Sequence, residues 1–331
     1  MRAAVCPRHG PPEVVQVSEL PTPTTEPGQV RVQVSVAAVN FPDVLLVADQ
    51  YQVSVPTPFV VGSEFAGVIV ELDSQIPGFA VGDRVTGTMM YGAFAEQVCV
   101  PATALAPIPP GLDDRTAAAC GVAFRTAYHC LRSMARVRAG DDVVVLGAGG
   151  GVGLASVALA TALGARVIAV ASSPEKLDAA TQHGADAAIS YLDTDLRTAL
   201  RAAVPAGAAA VIDPVGGELS EPALRALGRG GRFVTVGYAS GTIPRIPLNL
   251  LLVKGIHVLG FQFQDVPADE FSRNETELHE LLSSGAVRPH IGAQYPLSEA
   301  DAALRRVADG KAIGKVLVNI DSPLAPHEVP A

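Results

Sequence analysis

Val145-Leu146-Gly147-Ala148-Gly149-Gly150-Gly151-Val152-Gly153 is the stretch that decides the fold of this chain. The apolar run Val143-Val144-Val145-Leu146 leads into it, and an apolar helical pattern leaves it. Glycines at the end of a strand permit a tight turn and a close approach of backbone to ligand. The helix that follows offers unpaired N–H groups and a favourable dipole to a pyrophosphate. A strict G-x-G-x-x-G is absent; the nearest register is Ala148-x-Gly150-x-x-Gly153. Such a loop can be plain turn punctuation, but here it follows a strand, precedes a helix and opens a βαβ unit. That context marks a dinucleotide site.

Working outward, the stretch from Val143 to Ala165 carries no charge and is long enough for a membrane span. Its early glycines divide it into a short strand and a helix, so no membrane role is expected. Downstream, apolar strands alternate with helices: Arg166–Val170, Ala209–Asp213, Arg232–Gly237 and Ile256–Gly260. Alternating β and α with apolar strands implies a parallel sheet covered on both faces. An NAD site carries Asp or Glu about 20 residues past the glycines, on the ribose 2′-hydroxyl. Ala171 stands there, followed by Ser172, Ser173 and Lys176. Two hydroxyls and an ammonium suit a 2′-phosphate, which points to NADPH. The serines also read as a cap for the next helix, with Lys176 solvated; both readings stand.

The N-terminal third is β-rich. Val30-Arg31-Val32-Gln33-Val34-Ser35-Val36 alternates strictly, and short strands are expected near Val60–Val61, Gly67–Val70, Gly82–Val85 and Ala95–Val100. Helical spacing runs from Asp114 to Met134, and again over Thr276–Ser283 and Ala300–Val307, before a last strand at Lys315–Val318. Three segments follow: a barrel-like substrate domain over 1–120, a dinucleotide domain over 121–260, and 261–331 returning to complete the first. The chain from Asp321 is expected to form a frayed tail. At 331 residues, two domains are natural. The composition, 49% hydrophobic and 17% charged, provides substantial cores. A net charge of −9 without a basic block excludes general nucleic-acid binding. Cys6, Cys99, Cys120 and Cys130 form no metal or disulfide spacing, and no secretory leader precedes them, so a cytoplasmic setting is expected.

With the loop in place, the chain resembles the quinone oxidoreductase (ζ-crystallin-like) branch of the medium-chain dehydrogenase/reductase family from Met1 to about Ile320. The strings that carry the resemblance are Val39-Asn40-Phe41-Pro42-Asp43, Gly62-Ser63-Glu64-Phe65-Ala66-Gly67, Val81-Gly82-Asp83-Arg84-Val85, Thr126-Ala127-Tyr128, Asp213-Pro214-Val215-Gly216-Gly217 and Gly314-Lys315-Val316-Leu317. The resemblance implies an α/β fold, a Rossmann doubly wound parallel sheet inserted into a GroES-like β-barrel substrate domain, with NADPH and acceptor meeting in a cleft. It implies cofactor contacts at Thr126, Gly150, Gly151, Val152, Ser172, Ser173, Lys176, Tyr191, Val215, Gly237, Phe261 and Lys315. A homodimer joined along the edge strand near Ile256–Gly260 is also implied.

Zinc-dependent members of the family hold their metal with Cys, His and Cys. The matching places here are Asn40, Ser63 and about Val122, and the four-cysteine structural cluster is missing, so no metal is expected. Glu64, left beside these places, reads as structural. Asn40, Asp43 and Tyr51 match the family's N-x-x-D…Y pattern beside the nicotinamide, with Asn40 donating to the acceptor and Tyr51 donating a hydrogen bond or a proton. From the residues alone, a turn at Asn40 and Asp43 before a core tyrosine is the preferred reading, and the family pattern reverses that preference. Three positions depart from the pattern: Asp49 where Gly is common, Leu45 where some relatives have a second tyrosine, and Arg125 where an apolar residue is common. Met89, Met90, Tyr91, Phe261 and Phe263 are candidates for an apolar pocket. The acceptor is expected to be a small molecule, a quinone or an activated alkene. An enoyl-thioester or enone reductase, with Arg125 and Arg245 at a basic mouth, is the alternative enzyme, and a non-catalytic NADPH-binding protein the alternative from another class.

Overall fold

The alternation at Val30–Val36 becomes the strand Gln29–Val39, whose valines at 30, 32 and 34 are fully buried. In the computed structural model, which describes residues 1–73 and 75–320, this strand is the spine of a seven-stranded sheet. It pairs antiparallel with Glu64–Leu72 on one side and Lys315–Asn319 on the other, and also with Gln97–Pro101. Arg84–Thr88 and Leu105–Pro107 extend the sheet beyond Glu64–Leu72, and Ile291–Pro296 extends it beyond Lys315–Asn319. A smaller three-stranded sheet of Arg2–Cys6, Gln16–Glu19 and Phe59–Val60 packs into the same core. The register has a direct consequence for the site. Val39 pairs with Val316 and Ala37 with Phe65, so Asn40, Glu64 and Lys315 emerge from three neighbouring strands at one end of the sheet.

The second unit is a six-stranded parallel sheet. In chain order its strands are Asp142–Leu146, Arg166–Ala171, Ala187–Ser190, Ala208–Asp213, Leu227–Thr235 and His257–Gly260. They lie side by side in the order 3-2-1-4-5-6, the doubly wound order of a dinucleotide fold. Residues 143–146 and 167–170 are wholly buried, as strands covered on both faces require. The strand order reverses between Asp142–Leu146 and Ala208–Asp213, and ligands bind at the carboxyl ends of such a switch point. Among the described residues, no helix is long and apolar enough to cross a membrane. The expected tail from Asp321 lies outside the described residues.

One boundary needs correction. The chain divides into Met1–Val122 with the segment from Ile291 on, and Ala123–His290; residues 261–290 therefore belong to the dinucleotide unit, not to the first. The cause is side-chain chemistry along the helix Ala268–Ser283, which extends farther toward the N-terminus than the expected Thr276 start. From it, Phe271 stacks on His129 with ring centres 4.8 Å apart, Glu275 accepts from Arg125, and Glu277 accepts from Tyr128 at 2.6 Å. The helix Ala123–His129 thus carries it within the second unit.

Candidate functional site

At the switch point the glycines have unequal duties. Gly147 adopts φ +59°, and a Cβ there would meet Val215 Cγ2 at 2.6 Å. A Cβ on Gly153 would run into the carbonyl oxygen of Gly147, which is backbone and cannot yield. Gly150 is less constrained: it caps the helix Gly151–Ala162 in an extended conformation, with its nearest neighbour 3.4 Å from a built Cβ. Gly151, Val152 and Gly153 form the first turn, whose N–H groups have no carbonyl partner within the helix. Gly147 and Gly153 are therefore the steric requirements, and the sequence register, which began at Ala148, missed the first of them.

Gly149 connects this loop to the next strand end. Its missing Cβ leaves the space filled by the Lys176 side chain, whose Cβ and Cγ would lie 2.5 Å away. Lys176 Nζ donates to Ser172 Oγ at 3.1 Å, and burial holds its pKa below the ordinary lysine value. Ser173 caps the helix Pro174–Gln182, accepting from the Lys176 N–H at 3.4 Å. Both sequence readings of the serines thus describe the same arrangement: a capped helix start and a hydroxyl–ammonium pair beside the glycine loop. Ala171 closes the strand, fully buried, so no acid faces this corner from its position.

Val215 is held by Asp213, whose buried carboxylate accepts from the N–H groups of Val215 at 2.9 Å and Gly216 at 2.8 Å and from Ser220 Oγ at 2.6 Å. Gly237 follows the neighbouring strand, its N–H directed at Asp213 O. Tyr191 is half-buried against the sheet core, with its N–H on Ala171 O. Thr126 is buried on the helix Ala123–His129. Phe261 stacks on His129 and meets Phe263 edge-on, with ring centres 6.2 and 4.9 Å apart. Arg125 lies over Phe263 and Phe271 and donates to both oxygens of Glu275 at 3.0 and 2.8 Å. Its charge is paired with Glu275 within the unit.

In the first unit a different site assembles. Asn40 ends its strand and begins the helix Phe41–Val47, where Asp43 Oδ2 accepts its N–H at 2.7 Å. Asn40 Nδ2 donates to Glu64 Oε2 at 2.9 Å and to Ser63 Oγ at 3.3 Å. Lys315 Nζ donates to Asn40 Oδ1 at 2.6 Å, Glu64 Oε2 at 3.0 Å and Val39 O at 3.2 Å. Glu64 Oε1 accepts from the Val122 N–H at 2.9 Å. Burial pushes Asp43 up to about 7, against the opposing pull of hydrogen bonds from Asn40 and Ser63 and of the Lys315 charge. Lys315, expected on the cofactor, therefore directs its ammonium into this cluster. Both amide hydrogens of Asn40 are already engaged, so it has none left to donate to an acceptor. Ser63 and Glu64, absent from the expected site residues, stand at its centre.

Residues 26–110 match the family model described as Alcohol dehydrogenase GroES-like domain, and residues 151–283 the one described as Zinc-binding dehydrogenase. Quinone oxidoreductase-like protein 2 of Bos taurus is 36% identical over 326 residues, spanning 96% of this chain and 92% of that protein. The chain belongs to the quinone oxidoreductase-like branch of the medium-chain dehydrogenase/reductase family. The structure of Escherichia coli quinone oxidoreductase complexed with NADPH aligns with a TM-score of 0.89 at 27% identity, covering 97% of this chain and all of that one. A polyketide synthase of Streptomyces halstedii is 34% identical over 306 residues, which is 92% of this chain and 5% of the synthase.

Family membership sharpens the question of zinc. The three places that hold metal in zinc-dependent dehydrogenases do converge here, with Asn40 within 3.3 Å of Ser63 and Val122 contributing a backbone N–H to Glu64. They do not fit zinc: none supplies a thiolate or imidazole, and the neighbouring carboxylate is already paired with an ammonium. Among the described residues, no group of three or more His, Cys, Asp or Glu side chains could hold a metal. Tyr51 is half-buried against the core of the first unit. Asp49, where this family branch commonly has Gly, adopts φ +54°, and its carboxylate accepts from Ser54 Oγ at 2.6 Å. The departure thus falls at a left-handed residue, which Asp tolerates better than most. Met89 packs on the core of the first unit, where Met90 and Tyr91 are exposed; in the second unit Phe261 and Phe263 surround His129.

Proposed function

We propose that this oxidoreductase reduces small, electron-poor acceptors of the quinone class with NADPH, without a metal ion. One arrangement carries the cofactor reading: the Ser172–Lys176 pair laid over Gly149, beside a glycine loop and with alanine where an NAD-selective acid would stand. NADPH supplies a hydride when bound. The chain's own residues bind and orient it: the first helical turn takes the pyrophosphate, Val215 and Gly147 shape the turn beneath it, and Lys176 with Ser172 takes the 2′-phosphate. The quinone reading rests on the first-unit cluster, which offers no Lewis acid to polarise a reluctant carbonyl. An acceptor that is electrophilic by itself needs chiefly alignment and exclusion of water.

The similarity to a polyketide synthase segment favours a second reading, reduction of an activated alkene with Tyr51 as proton donor. NADPH oxidation measured against a quinone panel and crotonyl-CoA separates the two. Quinone turnover that survives Tyr51→Phe supports the first reading; crotonyl-CoA turnover that collapses in that variant supports the second. NADPH binding without turnover on either would defeat both.

We further propose a homodimer through the strand His257–Gly260, the last in its sheet. Val258 on it is exposed, and Leu248, Leu252 and Val253 in and beside the helix Asn249–Lys254 are 74%, 86% and 66% exposed. An apolar surface next to an unpaired strand edge calls for cover. Light scattering should give twice the chain mass, and Leu252→Asp with Val258→Arg should give the chain mass; a monomeric parent protein contradicts the assignment.

A further inference from the structure

The turn beside the glycine loop is braced from outside. Val215 occupies the space that a Cβ on Gly147 would need, so the turn 214–217 touches the pyrophosphate loop directly. Its other side is laced to residues 239–242. Ala239 N–H donates to Pro214 O at 3.2 Å, Ser240 N–H to Val215 O at 2.9 Å, and Gly217 N–H to Thr242 O at 2.9 Å. Gly216, at φ +69°, makes room for Tyr238, whose Cδ1 would lie 2.8 Å from a Cβ there. Every residue from 238 to 243 is exposed, so this brace has solvent, not core, on its outer side. The same segment runs on into the apolar surface assigned above to the dimer. Ile243 is 71% exposed, and the exposed Leu248, Leu252 and Val253 follow. Lys254, the one charged residue of the helix Asn249–Lys254, turns its ammonium inward onto the carbonyl oxygens of Arg225 and Leu227 at 2.6 and 2.8 Å. An uncharged helix face thus lies beside the open edge of His257–Gly260. Such a surface suits a second copy of itself. Two identical faces can meet about a two-fold axis without opposing like charges on these helices, and each supplies the strand edge that the other lacks.

We propose that the second subunit and the cofactor are coupled through residues 238–253, so that assembly tightens NADPH binding and NADPH tightens assembly. In the lone chain a brace with solvent on its outer side opens at low cost, and the turn holds its binding form only part of the time. Apparent affinity falls in proportion to that fraction. A partner covering 243–253 holds the brace shut. The coupling rests on the dimer reading above, and adds that neither binding event is independent of the other. The competing view is a brace already rigid in the single chain, for which the two equilibria would be separate.

Linkage fixes the size of the test. If each subunit binds NADPH about tenfold tighter in the dimer, saturating NADPH must lower the dimer dissociation constant about a hundredfold, because two sites contribute. Sedimentation equilibrium of the full chain over a dilution series, without and with NADPH, reads this without any turnover. We expect the hundredfold shift. The same dissociation constant in both series would overturn the coupling and leave the dimer standing. A monomer at every concentration, with or without NADPH, would overturn the dimer and the coupling together. A second measurement locates the effect. Leu252→Asp/Val258→Arg should bind NADPH about tenfold more weakly than the parent dimer. It should bind adenosine 2′,5′-bisphosphate, which spans the Ser172–Lys176 corner and not the turn, as the parent does. Equal loss of both ligands, or loss of neither, would overturn the proposal.

Discussion

The glycine loop of the second unit and the polar cluster of the first are built on opposite terms. The loop offers backbone and empty space: Gly147, Gly149 and Gly153 matter for side chains they lack. The cluster offers side chains and almost no space, with Asn40, Asp43, Ser63, Glu64 and Lys315 all buried and hydrogen-bonded to one another or to backbone. The loop is nine consecutive residues, whereas the cluster draws on four separate places, 40–43, 63–64, 122 and 315. A site made of backbone should tolerate changes of chemistry and fail on a single methyl group. One made of buried polar side chains should tolerate volume and fail on a single change of charge.

The largest effect should come from the loop. Gly153→Ala places a methyl group against the Gly147 carbonyl and should cost about 3 kcal/mol, with loss of NADPH binding; Gly150→Ala, which meets nothing closer than 3.4 Å, should cost under about 1 kcal/mol. Thermal melts and NADPH fluorescence titrations check the pair, and equal effects at both positions would break the comparison. In the cluster, the corresponding sensitivity is to pH. Folded Asp43 keeps its proton up to about pH 7, while the unfolded residue ionises near 3.8. Between those values the folded chain binds more protons than the unfolded one, so this residue's contribution to stability falls as pH rises. Asp43→Asn still accepts from the Asn40 N–H but cannot ionise. Its melting temperature should approach the parent's below about pH 3.8 and exceed it by several degrees above about pH 7; parallel curves would remove the effect.

A smaller effect is expected at the phosphate corner. If the ammonium takes the 2′-phosphate as proposed, Lys176→Ala should weaken NADPH about tenfold and NADH hardly at all. Equal weakening would mean that the lysine stem over Gly149 shapes the loop rather than reading the phosphate. Smallest is Asp49→Gly, which relieves a positive φ but loses the Ser54 contact and should raise stability by no more than about 1 kcal/mol. A melting temperature below the parent's would show that the hydrogen bond outweighs the backbone strain.

The same contrast explains what could be read before the structure. The doubly wound sheet was legible because its requirements are local: apolar strands, a glycine turn, a capped helix after Ser173. The strand Ala187–Ser190 was missed because its four residues, Ala-Ala-Ile-Ser, carry no alternation and few β-branched side chains. The boundary at 260 failed because aromatic stacking on His129, not chain composition, binds residues 261–290 to the second unit. In the first unit, Asn40 and Asp43 could be singled out by pattern, but Lys315 was assigned to the cofactor. Nothing near residue 315 records that Val316 pairs with Val39, and that register alone brings the ammonium to Asn40 and Glu64. A glutamate directly after Ser63 in a buried strand start was the available signal, since a buried carboxylate requires a partner somewhere in the chain.

The central claim is metal-free reduction by NADPH, and quinone-dependent NADPH oxidation in the presence of a strong zinc chelator tests it most directly. The account predicts steady turnover with 1,4-benzoquinone, unchanged by the chelator, with kcat/KM for NADPH at least about tenfold above that for NADH. Turnover that the chelator abolishes and added zinc restores would contradict it.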